Sequence, residues 1–558
     1  LLLVLAAVFS APTYSADQTR LDEAKNIGNQ AVDLFKSNKF AEALPLFEKA
    51  LRLRTEVLGE QHPNTLTSLG NLALTYSSLG RHAEALALDE KALRLRTEVL
   101  GERHPSTLGS LNNLAETYRK LGRDVEALAL HEKALQLYIE VLGEQHPDTL
   151  GSLNNLAGTY SKLGRHAEAL ALNEKALRLY TAVLGERHPN TLTSLNNLAQ
   201  TYDKLGRHAE ALALDEKALR LTTETLGERH PLTLTSLNSL SGTYLSLGRH
   251  AEALALLEKA LRLRTEVLGE RHPLTLTSLN NLAATYASLG RDVEALALLE
   301  KALRLETEVL GERHPSTLVS HNNLAETYRK LGRDAEALAL HGKALRLRTA
   351  VLGERHPDTL TSLNNLAQTY DKLGRHAEAL ALDEKALRLT TETLGERHPL
   401  TLTSLNSLSG TYLSLGRHAE ALALLEKALR LRTEVLGERH PLTLTSLNNL
   451  AATYASLGRD VEALALLEKA LRLETEVLGE RHPSTLVSHN NLAETYRKLG
   501  RDAEALALHG KALRLRTEVL GERHPDTLSS LNNLALTYDN LGRYTEALAL
   551  YERVLRLS

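Results

Sequence analysis

The chain has 558 residues, of which 43% are hydrophobic, 24% charged and only 4% aromatic, and its net charge is −3 with histidine neutral. A chain of this length exceeds one compact core, so several domains or a solenoid are implied. So small a net charge supplies no field to gather nucleic acid or an anionic membrane, and the absence of cysteine excludes disulfides, thiol catalysis and cysteine-ligated zinc.

The opening "LLLVLAAVFSAPTYSADQTR" is an apolar stretch that runs into Ala11-Pro12 and then small residues. It reads as the remnant of a secretory signal peptide over 1–16, with processing expected near Ser15 or Ala16, rather than as a buried helix. No later stretch approaches the ~20 uninterrupted apolar residues of a membrane span. The expectation is therefore a secreted or periplasmic chain with no membrane insertion after signal removal.

From residue 17 to 558 one pattern repeats. His-Pro returns twelve times at 42-residue intervals, from His62-Pro63 to His524-Pro525. With the segment before His62, this makes about thirteen units. Within a unit, Leu108, Leu111, Leu114, Ala115 and Tyr118 recur at three- and four-residue steps and so line one helix face. Gly122 stops that helix, and Asp124 is expected to cap the next, although many units have His there. Ala127, Leu128, Leu130, Ala134, Leu135 and Leu137 form a second stripe that ends at Leu142-Gly143. Pro147 then falls in the first turn of the following helix. Each unit is a helical hairpin that buries its apolar face only by stacking on its neighbours. A larger period also exists: residues 191–349 recur identically as 359–517, so any surface in the first block is repeated in the second.

Leu111, Leu114, Ala115, Tyr118, Gly122, Ala127 and Ala134 stand at tetratricopeptide spacings. The 42-residue frame "LNNLA…Y…G…EA…L…KAL…LGE.HP" resembles the repeats of kinesin light chain and its bacterial relatives. The resemblance implies an all-α, tetratricopeptide-type solenoid, coiled into an elongated right-handed superhelix, with the first helix of each hairpin lining the concave surface. It departs at one column. Where the family places a large apolar side chain, as at Phe47, Leu257, Leu299 and Tyr551, several units carry Asp89, His131, Asn173, Asp215 or His341. Either the second helix is rotated to bring this column to solvent, or packing there is loose.

No phosphate-binding glycine loop, nucleophile elbow or HExxH motif occurs, and no cofactor is implied. Twelve of the twenty-three histidines belong to the His-Pro turns and six follow Gly-Arg. Stacking separates equivalent histidines by about one helix diameter, too far to share a metal. His321 with His341, and the duplicate His489 with His509, are placed where the two rings of a pair can approach. Two ligands are too few for a metal, and a hydrogen-bonded or partly solvated pair is expected instead.

Paired asparagines remain to be explained, since asparagine weakens a helix. The first of each pair is Asn112, Asn154, Asn196, Asn280, Asn322, Asn364, Asn448, Asn490 and Asn532. The second is Asn113, Asn155, Asn197, Asn281, Asn323, Asn365, Asn449, Asn491 and Asn533. Asn112, Glu116 and Arg119 share a face, with Asn113 beside them. The resemblance turns this face into the groove. The positions of Glu116 and Arg119 drift between units, through Gly158, Gln200, Ser161 and Asp203, while the packing columns stay fixed. A row of amides can pair with the backbone of an extended peptide; alternatively it ties one unit to the next, and one column can do each job. The expectation is a non-enzymatic scaffold for a protein or extended peptide. The rivals are a structural or self-assembling solenoid, and the repeat region of a larger enzyme such as a caspase-like protease.

Overall fold

The computed structural model describes the backbone of residues 2–557 and side chains from Ala16 onward. The signal-like segment 1–16 thus falls, but for its last residue, outside the described side chains. Among the described residues there are 26 helices and no strand. They run α1 (Leu2–Lys36), α2 (Phe40–Leu58), α3 (Pro63–Ser78), α4 (His82–Leu100), α5 (Pro105–Lys120), α6 (Asp124–Leu142) and so on to α25 (Pro525–Asn540) and α26 (Tyr544–Leu557). Each helix packs on the one before and the one after it. The result is an all-α solenoid of thirteen hairpins, and among the described residues no helix is long and apolar enough to cross a membrane.

The third hairpin shows how the sequence sets the joints. Pro105 begins α5, where a missing N–H costs nothing. His104 is its cap: the backbone N–H of Ser106 donates to His104 Nδ1 at 3.1 Å. The sequence reading had these histidines only as turn residues. At the other end Gly122 adopts φ 67°. The Arg123 N–H then donates to Tyr118 O at 2.9 Å and the Gly122 N–H to Arg119 O at 3.1 Å, satisfying two carbonyls that the helix leaves open. This turn carries the Arg123 guanidinium to 4.3 Å over the Tyr118 ring, where it also donates to Glu126 at 2.8 Å. Asp124 is not the cap that its chemistry suggested. It is the first residue of α6, and Arg123 holds the cap position with no side-chain capping bond.

Leu108 and Leu111 of α5 pack with Ala134 and Tyr138 of α6. Ala115, Ala127 and Ala134 are wholly buried, since alanine lets the two backbones come close. Burying a leucine such as Leu108 contributes about 1.5–3 kcal/mol, and the arrangement recurs hairpin by hairpin.

The column of Asp89, His131, Asn173, Asp215 and His341 is neither solvated nor loose. All five are at most 5% exposed. Each meets a threonine of the next hairpin: Thr117 donates to Asp89 at 2.7 Å, Asn173 donates to Thr201 at 2.9 Å and Thr243 donates to Asp215 at 2.6 Å. His131 and His341 lie 2.9 and 2.8 Å from Thr159 and Thr369. A buried polar side chain is tolerable because its partner repeats with the same period.

Successive turns of the superhelix also touch, which the sequence did not reveal. His356 Nε2 donates to Lys120 O at 3.1 Å, His398 to Lys162 O at 3.1 Å, His440 to Lys204 O at 2.9 Å and His482 to Ser246 O at 3.1 Å. Each bond joins hairpins six apart. The neighbouring prolines seat on glycines: a Cβ at Gly122 would stand 2.3 Å from Pro357 and one at Gly206 2.4 Å from Pro441.

Candidate functional site

The two asparagine columns occupy different environments. Asn196, Asn280, Asn322, Asn364 and Asn448 of the first are buried, and Asn112, Asn154 and Asn490 are partly so. Several of these amides reach a serine of the following hairpin: Asn196 donates to Ser236 at 3.1 Å, Asn280 to Ser320 at 2.8 Å and Asn364 to Ser404 at 3.1 Å. At some nodes a residue from the intervening helix joins in. At one, Arg264 donates to Ser278 at 2.7 Å, and Asn238, with its amide oxygen toward the guanidinium, accepts from Arg264 at 2.7 and 2.9 Å. At another, Asn280 donates to Glu306 at 3.0 Å. Asn532, in the last hairpin, is exposed.

The second column points outward from these nodes. Asn113, Asn155, Asn281 and Asn449 are exposed, while Asn197, Asn323, Asn365, Asn491 and Asn533 are intermediate. Asn533 donates to Asn490 at 2.9 Å. None of the other eight makes a side-chain hydrogen bond among the described residues. Their backbone carbonyls are in use, for example that of Asn155, which accepts from Thr159 at 3.2 Å. The side chains therefore face outward while the backbone beneath them is fixed.

Glu116 and Arg119 form a pair on the same surface, with Arg119 Nε and Nη2 donating to the two carboxylate oxygens at 2.7 and 2.6 Å. The bond to Glu116 raises the Arg119 pKa, opposed by burial. A cleft of about 380 Å³ opens beside the pair, lined by Asn154, Asn155, Asn197, the drifting positions Gly158, Ser161 and Gln200, and the cations Lys162 and Lys204. Burial lowers the Lys204 pKa, and Lys162 and Arg119 add to the effect. Sequence reasoning passed over these lysines, although Lys120, Lys162 and Lys204 recur one place after the Arg119 column. The duplicated block opens a second cleft of about 630 Å³, with Asn406, Asn449, Gly410, Leu413 and Ala452 on its walls.

The histidine pair does not form a joint site. His321 Nδ1 donates to Thr317 O at 2.9 Å within its own helix, while His341 turns to Thr369 in the next hairpin. No group of three or more metal-ligating side chains occurs among the described residues.

The tetratricopeptide repeat model matches the chain in twelve overlapping segments that run from 20–98 to 484–558. Among solved structures, a kinesin light chain-type protein of Podosopora anserina with nearly identical TPR-like repeats is 33% identical; 36% of this chain and 95% of that one are covered, at a TM-score of 0.33. BtubC (BKLC) from P. vanneervenii is 24% identical over 41% of this chain and 90% of its own, at a TM-score of 0.35. No curated protein matches the chain. With the repeat model matched from residue 20 to residue 558, the chain belongs to the tetratricopeptide repeat family, whose repeats generally mediate protein binding.

Proposed function

We propose that the chain is a non-catalytic scaffold that holds an extended peptide or protein segment along its asparagine-lined surface. The observation that carries this reading is the contrast between the columns. The first commits seven of its nine amides to bonds with neighbouring helices and hairpins, Asn154 and Asn532 excepted, whereas the second leaves eight of the nine amides named above without a partner. A free amide donates and accepts, so a row at one-hairpin intervals can pair with N–H and C=O groups of a bound backbone without reading its side chains. Specificity then belongs to the drifting positions around each cleft, and affinity accumulates from many modest contacts. The segment over 1–16 would deliver the scaffold to the secreted or periplasmic space, and a mature N-terminus near Ser15 or Ala16 on protein recovered there checks that address.

Selection from a random peptide library tests the binding reading. Asn155→Ala with Asn197→Ala should weaken every peptide held at that cleft by about 0.5–1.5 kcal/mol per lost hydrogen bond. Gly158→Glu or Gln200→Glu should instead change which peptides are recovered. Peptides that bind the double alanine variant as tightly as the unmodified chain would contradict the backbone clamp.

A further inference from the structure

The seam between superhelical turns also decides how the second asparagine column is reached. Odd-numbered helices of successive hairpins pack directly on one another, as α9 (Pro189–Lys204) does on α11 (Pro231–Ser246) and α17 (Pro357–Lys372) on α19 (Pro399–Ser414). They therefore lie on the inside of the curve, with the even-numbered helices outside. Along the axis these inner helices meet end to end. Lys120 O, at the end of α5, accepts from His356, which caps α17. Lys204 O, at the end of α9, accepts from His440, which caps α21 (Pro441–Ser456). A Cβ on Gly80, Gly122, Gly164, Gly206, Gly248 or Gly290 would fall 3.3 Å or less from the proline that opens the helix six hairpins onward. Six consecutive hairpins make one turn, so the seam runs round the axis without a break.

The second asparagine column thus faces a lumen. Thr193, Asn197, Gln200 and Lys204 share one face of α9, and all but the half-buried Asn197 are exposed. Six helices with axes ~10 Å apart form a ring ~20 Å across between axes, which leaves a bore on the order of 10 Å. An extended chain, about 5 by 10 Å in section, fits such a bore, whereas a folded domain, about 30 Å across, does not. Small residues in the Glu116 column, among them Gly158, Gly242, Ala284 and Gly410, leave room for the side chains of that extended chain. Recesses of about 770 and 690 Å³ in the seam are large enough for side chains or a small molecule, not for a folded domain.

We propose that the partner is an unfolded polypeptide with a free end, threaded along the axis of this lumen. The inference rests on the backbone clamp proposed above and adds what kind of chain the clamp can admit. Entry from the side breaks successive histidine bonds and proline contacts along the seam, whereas entry along the axis breaks none. A loop strung between two folded domains offers no end to thread and is excluded. Once inside, an extended chain passes unpartnered amides such as Asn155 and Asn281 and pairs its backbone with them in turn.

The absence of cysteine makes the enclosure directly measurable. Gln200→Cys and Ala284→Cys each place one thiol on the inner wall, and Ala213→Cys places one on an exposed position of the outer helix α10 (His208–Leu226). N-ethylmaleimide should label all three variants, and a maleimide borne on a small folded protein should label only Ala213→Cys. His356→Asp, His398→Asp and His440→Asp keep a good helix cap but cannot donate across the turn; on that background the bulky reagent should reach the inner thiols. Threading is read with a peptide recovered from the random library, used free, fused at one end to a folded domain, or fused at both ends. The first two should bind alike, and the third should associate at least about 100-fold more slowly. Bulky labelling of the inner thiols at the outer rate, or equal association of all three peptides, would overturn the proposal. If no peptide binds while the inner thiols stay shielded, the clamp falls and the threaded partner with it, although the closed lumen stands.

Discussion

Glu306 stands where Arg264 and Arg348 stand in the hairpins before and after it. It is 1% exposed and accepts from Asn280 and Ser320. Burial raises its pKa to about 7, and the bonds from Ser320 and Asn280 offset only part of the shift. Glu474, its duplicate, behaves alike. A carboxyl whose folded pKa lies above the unfolded value stabilises the fold fully below about pH 4.5, and that contribution is lost as pH rises through about 7. Glu306→Gln with Glu474→Gln should therefore gain little at pH 5 but on the order of 1–3 kcal/mol per site at pH 8. Urea titrations at the two pH values measure this, and an equal effect at both would contradict it. The node was not legible in the sequence. Serine occupies the position of Ser320 in all twelve hairpins that begin with His-Pro. The residue beside it on the intervening helix is Arg, Glu, Tyr or Thr, and only Arg and Glu bond to the serine, so no single motif announces the site.

The elements were more legible than their joints. Apolar periodicity placed both helices of every hairpin, and Gly122 and Pro147 marked their boundaries because both act through the local backbone. The role of His104 was hidden, since capping by an imidazole depends on the direction of its ring. A corner such as His356 uses both nitrogens: Nδ1 accepts from the Asp358 N–H at 3.0 Å and Nε2–H donates across the turn. The bond accepted by Nδ1 requires a neutral ring. Burial lowers the pKa of His356, and that of His482 falls to about 4. His82, which faces His314, His356 and Lys120, also falls to about 4 through burial first, then the charge of Lys120 and the two neighbouring imidazoles. Around His356 itself stand Lys120, Lys162, Arg348, Asp124 and Asp358, and its own carboxylate neighbour Asp358 favours protonation. For a histidine with a depressed folded pKa, stability is complete above about 6.5 and is lost as pH falls toward 4. The superhelix should accordingly open between those values while its helices persist. X-ray scattering should show a larger radius with unchanged far-UV dichroism. Opening on alkalinisation, or helix loss that runs in parallel with the change in radius, would contradict the seam.

At the scale of the whole molecule, the repeat period gave the solenoid and its thirteen hairpins directly. It gave nothing of the contact between turns, because hairpins six apart carry no sequence mark of their proximity. The asparagine pair lies between these cases. Its recurrence marked it as important, but both columns recur equally, and only their different surroundings separate a joint from an open surface. The most direct test of that division is thermal unfolding of two matched variants. Asn281→Ala, Asn323→Ala and Asn365→Ala remove amides without side-chain partners and replace a poor helix former with the best one. Asn280→Ala, Asn322→Ala and Asn364→Ala, one position earlier, orphan buried groups around Ser320, Glu306 and Ser404, each costing about 1–3 kcal/mol. The second-column variant should melt at or above the temperature of the unmodified chain and the first-column variant well below it; equal losses in both would contradict the assignment of the second column to an open binding surface.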